Sequence, residues 1–180
     1  MYLKRIKSAD DADFESAYKL YVSAFPISER RRRRHLIMAL EDELYHFNII
    51  YDGDLFIGIL LTWETDSYIY IDHFAIRGEL RGQNYGSRTL ELLKEKNKPI
   101  ILEIEPPVDK ITINRCHFYQ RLGFIVNEEY DHFLPPFRLN EEGCDLVIMT
   151  YPEKFSKSEY DDFYAFLLNH IMSYADNPDN

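Results

Sequence analysis

The chain is poor in several residue types that define protein classes. It has only 2 cysteines in 180 residues, Cys116 and Cys144, which form neither a disulfide framework nor a paired-thiolate metal pattern. With 7 glycines and 8 prolines, collagen-like and linker compositions are excluded. The longest apolar stretches, such as Leu55 to Leu61, fall far short of the ~20 residues a membrane-crossing helix needs. Basic residues are in deficit: 21 Lys and Arg against 31 Asp and Glu leave a net charge of -10. That balance disfavours nonspecific nucleic-acid binding and draws cationic small molecules. The opening MYLKRIKSADDADF lacks the apolar segment of a secretory signal and is too acidic for a transit peptide. Together these absences lead to the expectation of a cytoplasmic protein with free thiols, no metal, no membrane association and no nucleic-acid partner.

What is abundant is core material. Hydrophobic residues make up 46% and aromatics 15% of the chain, and a chain of this length buries roughly 70% of its unfolded surface without staples. No repeat or linker interrupts it, so the expectation is one domain over residues 1–155 with a helical extension, 156–180, packed on it. Arg30 to Arg34 stand in a row without interleaved aromatics in an acidic chain. They read as a solvated helix face rather than a nucleic-acid patch.

Hydrophobic periods alternate between two and 3.6. Residues 2–7 predict a first strand. Ser8, with Asp11 three positions on, predicts the cap of a helix carrying Phe14, Ala17, Tyr18, Tyr21, Val22 and Phe25 and ending near Pro26. Ser28 and Glu29 predict a second helix running through the arginines to about Glu43. YHFNIIY and LFIGILLTW flank Asp52-Gly53-Asp54 and predict a hairpin. Residues 68–76, YIYIDHFAI, predict a central buried strand. A loop with Gly78, Gly82 and Gly86 then leads to a helix over about 87–96 and a strand over 99–105, a βαβ unit. A helix over 109–122 stopped by Gly123, strands near 124–130 and 144–151, and a last helix capped by Ser156 and Glu159 complete a mixed α/β chain.

The segment RGQNYGS, Arg81 to Ser87, follows a strand and opens a helix. Small residues there let consecutive backbone N–H groups point at an anion such as a diphosphate. A Walker A loop is disfavoured because three residues, not four, separate the glycines, and Ser87-Arg88 follows where Lys is required. A dinucleotide-binding oxidoreductase stays open: Glu103 and Glu105 lie about 20 residues further on, where a ribose-binding acid belongs, although the third glycine is missing. No GxSxG or HExxH motif is present, and the adjacent Cys116 and His117 cannot face one another on a helix.

RGQNYG resembles the R/QxxGxG/A acetyl-CoA loop of the GCN5-related N-acetyltransferase (GNAT) superfamily, with Asn84 in place of the first glycine. Asn enters the left-handed region more readily than most residues. The resemblance extends to a bacterial branch through FPISER, LEIEPP, FYQRLGF, FLPPF and LVIMTYP, in order over most of residues 20–152. It implies a mostly antiparallel sheet with a splayed parallel strand pair, flanked by helices, and acetyl-CoA as cosubstrate. Main-chain groups of Phe74, Ala75 and Ile76 would hold the pantetheine, and N–H groups around Phe74 and Ala75 would stabilise the acetyl oxygen. The amides of Arg81, Gly82, Gln83, Asn84, Tyr85, Gly86 and Ser87 would hold the pyrophosphate, with Arg81, Arg88 and Lys94 near the phosphates. Tyr119 would protonate the departing thiolate. The family asparagine seven positions earlier falls on Thr112, with Asn114 nearby as its substitute.

An ammonium acceptor must lose a proton before it attacks a thioester. Glu103 and Glu105 share a strand face by the period of two and are the candidate bases; Asp72, His73 and Glu29 are weaker ones. On α-helical spacing Ile111, Phe118 and Leu122 form an apolar stripe with Tyr119 roughly 100° to its side. The resulting expectation is an acetyl-CoA-dependent N-acetyltransferase, monomer or homodimer, acting on a small-molecule or peptide amine in a ternary complex. The rival from another class is a noncatalytic CoA-binding or interaction module.

Overall fold

A computed structural model describes residues 1–176; the last four positions of the expected extension, 177–180, lie outside the described residues. The strands are β1 (Tyr2–Ile6), β2 (Tyr45–Asp52), β3 (Leu55–Glu64), β4 (Ile69–Ile76), β5 (Ile100–Ile104), β6 (Ile125–Val126), β7 (His132–Leu134) and β8 (Cys144–Tyr151). The helices are α1 (Phe14–Ala24), α2 (Arg33–Ala39), α3 (Tyr85–Lys94), α4 (Lys110–Arg121) and α5 (Lys157–Asn169). This is the mixed, mostly antiparallel α/β class expected. The chain groups into two compact units, residues 1–26 with 39–100, and residues 27–38 with the chain from 101 onward.

In the first unit β1, β2, β3 and β4 pair antiparallel in that order. The hairpin forms where the sequence places it, with Gly53 at φ 58° in the two-residue turn and Asp52 opposite Leu55. Its inner faces are dense: Tyr45 and Trp63 rings lie 4.7 Å apart, and Phe14 of α1 packs edge-on against Phe47 at 6.1 Å. Helix α1 starts at Phe14, six residues beyond the expected cap, Ser8. Asp11 accepts from the Asp13 N–H, and Lys4 Nζ holds Asp11 and Asp13 at 2.9 and 2.7 Å. Those carboxylates are committed to a turn and an ion pair, so residues 8–13 do not enter the helix. Where β5 begins beside the start of β4, the Ile69 N–H donates to the Pro99 carbonyl at 2.8 Å.

In the second unit β5, β8 and β6 lie side by side, with β7 also on β8. The second predicted helix, 28–43, is corrected to a 3₁₀ turn, Ile27–Glu29, and the short α2. The reading of the arginine run as a solvated face holds for the exposed Arg32 and Arg34 but not for Arg31. Arg31 is 1% exposed with its guanidinium 4.3 Å over the Phe137 ring, and Arg32 Nε donates to both Asp176 oxygens at 2.9 and 2.6 Å. Arg138 Nε donates to the Arg30 carbonyl at 3.0 Å, so tertiary bonds hold residues 30–32 out of the helix. The Ser156–Glu159 capping box forms as expected, and α5 buries Tyr160, Phe163 and Leu167. Strand is confined to Ile125–Val126 within the predicted 124–130. The three-residue β7 was not expected.

Candidate active site

In the first unit the loop before α3 turns through two left-handed residues, Gly82 at φ 75° and Asn84 at φ 64°. The Arg81 amide is spent on the Gly78 carbonyl at 3.3 Å, which corrects the expectation that it belongs to the anion cradle. Among the described residues, the six N–H groups from Gly82 to Ser87 donate to no protein acceptor. Six unpaired donors at the N-terminus of a ten-residue helix fit a diphosphate. The expected side-chain helpers already carry partners: Arg81 Nε donates to the Ile76 carbonyl at 3.2 Å, Arg88 pairs with Asp52 at 2.9 Å, and Lys94 pairs with Glu91 at 2.8 Å.

Phe74, Ala75 and Ile76 end β4 opposite Leu60, Ile59 and Gly58. Just before them the register slips: Leu61 faces His73 but Thr62 faces Ile71, so Asp72 is the extra residue of a bulge. Bulges bend a strand and re-aim its groups, and they gather beside functional sites. His73, a weak candidate base, is buried edge-on against the Tyr21 and Phe25 rings at 4.9 and 4.6 Å. That environment is core packing.

In the second unit α4 brings Asn114 and Tyr119 onto one helix. The predicted stripe Ile111, Phe118, Leu122 is not the packing face: Ile111 is 71% exposed, while Thr112 and Cys116 are buried and Tyr119, next on that face, is half-buried. Tyr119 sits between Phe118 and Phe124, ring centroids 5.1 and 5.7 Å away, and its hydroxyl has no hydrogen-bond partner among the described residues. Burial pushes its phenol up to about 12, opposed by the charge of Arg115. Thr112 is occupied as a helix cap. Its N–H donates to Asp109 Oδ1 at 2.8 Å, and its Oγ1 accepts from the Asp109 and Val108 amides at 3.0 and 3.1 Å. Asn114 is exposed.

The two candidate bases occupy different surroundings. Glu105 lies just past β5, is 45% exposed and pairs with Arg115. The Glu103 side chain is only 6% exposed, and its Oε1 lies 2.5 Å from Nε2 of the buried His132. The other ring nitrogen of His132, Nδ1, lies 3.2 Å from the Tyr160 hydroxyl. His132 and Tyr160 were missed because nothing in the spacing of FLPPF or of the last helix shows that β5, β7 and α5 converge. Nearby, burial and then the charges of Glu29, Glu103, Asp145 and Glu105 push the Cys144 thiol up to about 11. A thiol so displaced has about a hundredth of the thiolate of an ordinary cysteine at pH 8. Alkylation of Cys144 by iodoacetamide, followed by mass spectrometry, is expected to be slower than that of a model thiol by about that factor; a rate equal to the model thiol's would contradict the acidic field. Among the described residues no cluster of three metal-ligating side chains occurs, and no helix is long and apolar enough to cross a membrane.

Comparison with known proteins bears on both units. Residues 14–124 match the profile described as "Acetyltransferase (GNAT) family". A candidate acetyltransferase of Bacillus subtilis, YjbC, is 29% identical over 163 residues, covering 88% of this chain and 82% of its own. The structure of a candidate GNAT-family acetyltransferase from Bacteroides thetaiotaomicron superposes with a TM-score of 0.89 at 32% identity, covering 96% of this chain and 98% of that one. The ribosomal-protein-S18-alanine N-acetyltransferase of Escherichia coli shares the fold, with a TM-score of 0.59 at 16% identity over 86% of this chain and 95% of its own.

Proposed function

This chain belongs to the acetyltransferase (GNAT) family and is an acetyl-CoA-dependent acyltransferase, and from that premise we propose that it acetylates a primary amine by direct attack in a ternary complex. The observation that carries the choice of acceptor is the field of Glu29, Glu103, Asp145 and Glu105 acting together on Cys144. Four carboxylates gathered there, Glu103 buried and Asp145 and Glu105 open to solvent, favour a cationic acceptor over a neutral or acidic one.

Bound acetyl-CoA supplies an activated acyl group, and this chain's residues do the rest. The Gly82–Ser87 amides hold the pyrophosphate, and main-chain groups of Phe74, Ala75 and Ile76 hold the pantetheine as a strand-like partner. N–H groups around Phe74 and Ala75 stabilise the charge that grows on the acetyl oxygen. Glu103 accepts the ammonium proton, with Glu105 as its neighbour in the acidic field, and Tyr119 donates its phenolic proton toward the departing sulfur. Asn114 is assigned to the cofactor side.

Initial rates with acetyl-CoA and a panel of cationic primary amines, read by thiol release, test the reading. Intersecting double-reciprocal lines and acetylated amine are expected. Parallel lines would contradict direct attack, and acetyl-CoA binding without transfer to any amine would favour the noncatalytic module. Calorimetric titration separates the oxidoreductase alternative, because CoA is expected to bind and NADPH is not.

A further inference from the structure

A carboxylate that works as a base on an acceptor amine must be held in one place, and a glutamate side chain alone has too many rotamers for that. Glu103 is held by His132. The imidazole is buried, and both nitrogens are engaged, Nε2 with Glu103 Oε1 at 2.5 Å and Nδ1 with the Tyr160 hydroxyl at 3.2 Å. A carboxylate only accepts hydrogen bonds, so Nε2 carries the proton that it donates to Glu103, and Nδ1 shares the second hydrogen bond with the Tyr160 hydroxyl. The Tyr160 hydroxyl also has the Asp131 carbonyl within reach, at 3.4 Å.

The rings around this chain fix its orientation. Tyr160 stacks on Tyr130 at 4.1 Å with planes 2° apart, and the His132 ring meets Phe163 and Tyr164 at 6.2 and 5.3 Å. Burial, and then the charges of Tyr164, Glu103, Asp161 and Asp131, push the Tyr160 phenol up to about 12, so it stays a donor. Cys144, on β8, carries the field of Glu103 without ionising near neutral pH.

We infer that His132 is a positioning residue for the acetyl-transfer reaction, using its Nε2–H to fix the Glu103 carboxylate, with Tyr160 fixing the imidazole in turn. The inference rests on the proposed amine acetylation. In that step an acceptor N–H bond breaks, a Glu103 O–H bond forms, the amine keeps the electron pair it then donates to the thioester carbon, and the proton later leaves Glu103 for solvent. His132 changes where the carboxylate stands and does not itself touch the acceptor.

The test compares His132→Leu and His132→Gln with wild type. Loss of the donor in His132→Leu is expected to lower kcat about 10–100-fold, the usual cost of removing a partner that orients a functional ligand, with the acetyl-CoA Kd unchanged. In His132→Gln the amide nitrogen stands in for Nε2, and kcat is expected to recover to within about fivefold of wild type. A kcat for His132→Leu within twofold of wild type, or equal losses in both variants, would overturn the inference. A second readout does not need turnover: the Nε2–H proton should give a far-downfield, exchange-protected NMR resonance in wild type that disappears in Glu103→Ala. Its persistence in that variant overturns the pairing even if transfer is normal. Failure of wild type to acetylate any amine would instead strike the parent reading, with the resonance still deciding the His132–Glu103 bond.

Discussion

Tyr119→Phe is expected to lower kcat by about 100-fold while leaving the acetyl-CoA Kd within twofold of wild type. The substitution removes one oxygen and nothing else. The ring keeps its contacts with Phe118 and Phe124, and the hydroxyl it loses has no partner among the described residues, so no buried group is orphaned. What is lost is the proton that the proposed mechanism passes to the departing sulfur. Burial makes the sign of the pH dependence definite. A group that must be protonated to act, and whose pKa is raised from 10.0 to about 12, keeps its acid form at higher pH than a free tyrosine does. No alkaline fall in kcat from Tyr119 is therefore expected below about pH 11. Unchanged turnover in the variant would remove the role assigned to this residue.

Gly58→Ala is expected to cost about 2–4 kcal/mol, and roughly 5–15 °C in Tm, with weaker acetyl-CoA binding in the protein that still folds. The reason is where a Cβ would go. It would lie 2.2 Å from the Ala75 carbonyl oxygen, 3.1 Å from Ile76 Cα and 3.2 Å from the Ala75 carbonyl carbon. All three are main-chain atoms paired in register with β3, so no rotamer change relieves the clash and β4 itself must shift. Ala75 and Ile76 are the groups assigned to the pantetheine. Gly78→Ala provides the contrast, because a Cβ there meets nothing within 4 Å, and it is expected to change stability by less than about 0.5 kcal/mol. Thermal melts of the two variants, followed by calorimetric titration with acetyl-CoA, check both statements. Equal melting temperatures would contradict the close approach of β3 and β4.

Features set by near neighbours in the chain were legible in the sequence. The Asp52-Gly53 turn, the Ser156–Glu159 box and the loop from Gly82 to Ser87 each carry their geometry in a few adjacent residues. Asn84 illustrates this well: its left-handed φ is the conformation its place in the loop demands. Features set by distant residues were not legible. Arg31 reads as solvated until Phe137 and Asp176 close the arginine run, and Lys4 draws Asp11 and Asp13 away from the start of α1. The stripe on α4 failed because Thr112 and Cys116, neither strongly apolar, take the inner face and leave Ile111 outside. Periodicity ranks Glu103 and Glu105 as equals. Only the meeting of β5 with β7 buries one against His132 and leaves the other with Arg115. The bulge at Asp72 is likewise a property of pairing, which a single strand's pattern does not express.

The main chain from Gly82 to Ser87 is the foundation of this account, and its amides are directly observable. In an amide-resolved NMR titration with desulfo-CoA, which keeps the pyrophosphate and lacks the thiol, these six N–H resonances are expected to move together and saturate, while the Arg81 amide, bonded to Gly78, moves less. Six resonances that stay in place at millimolar ligand would contradict it.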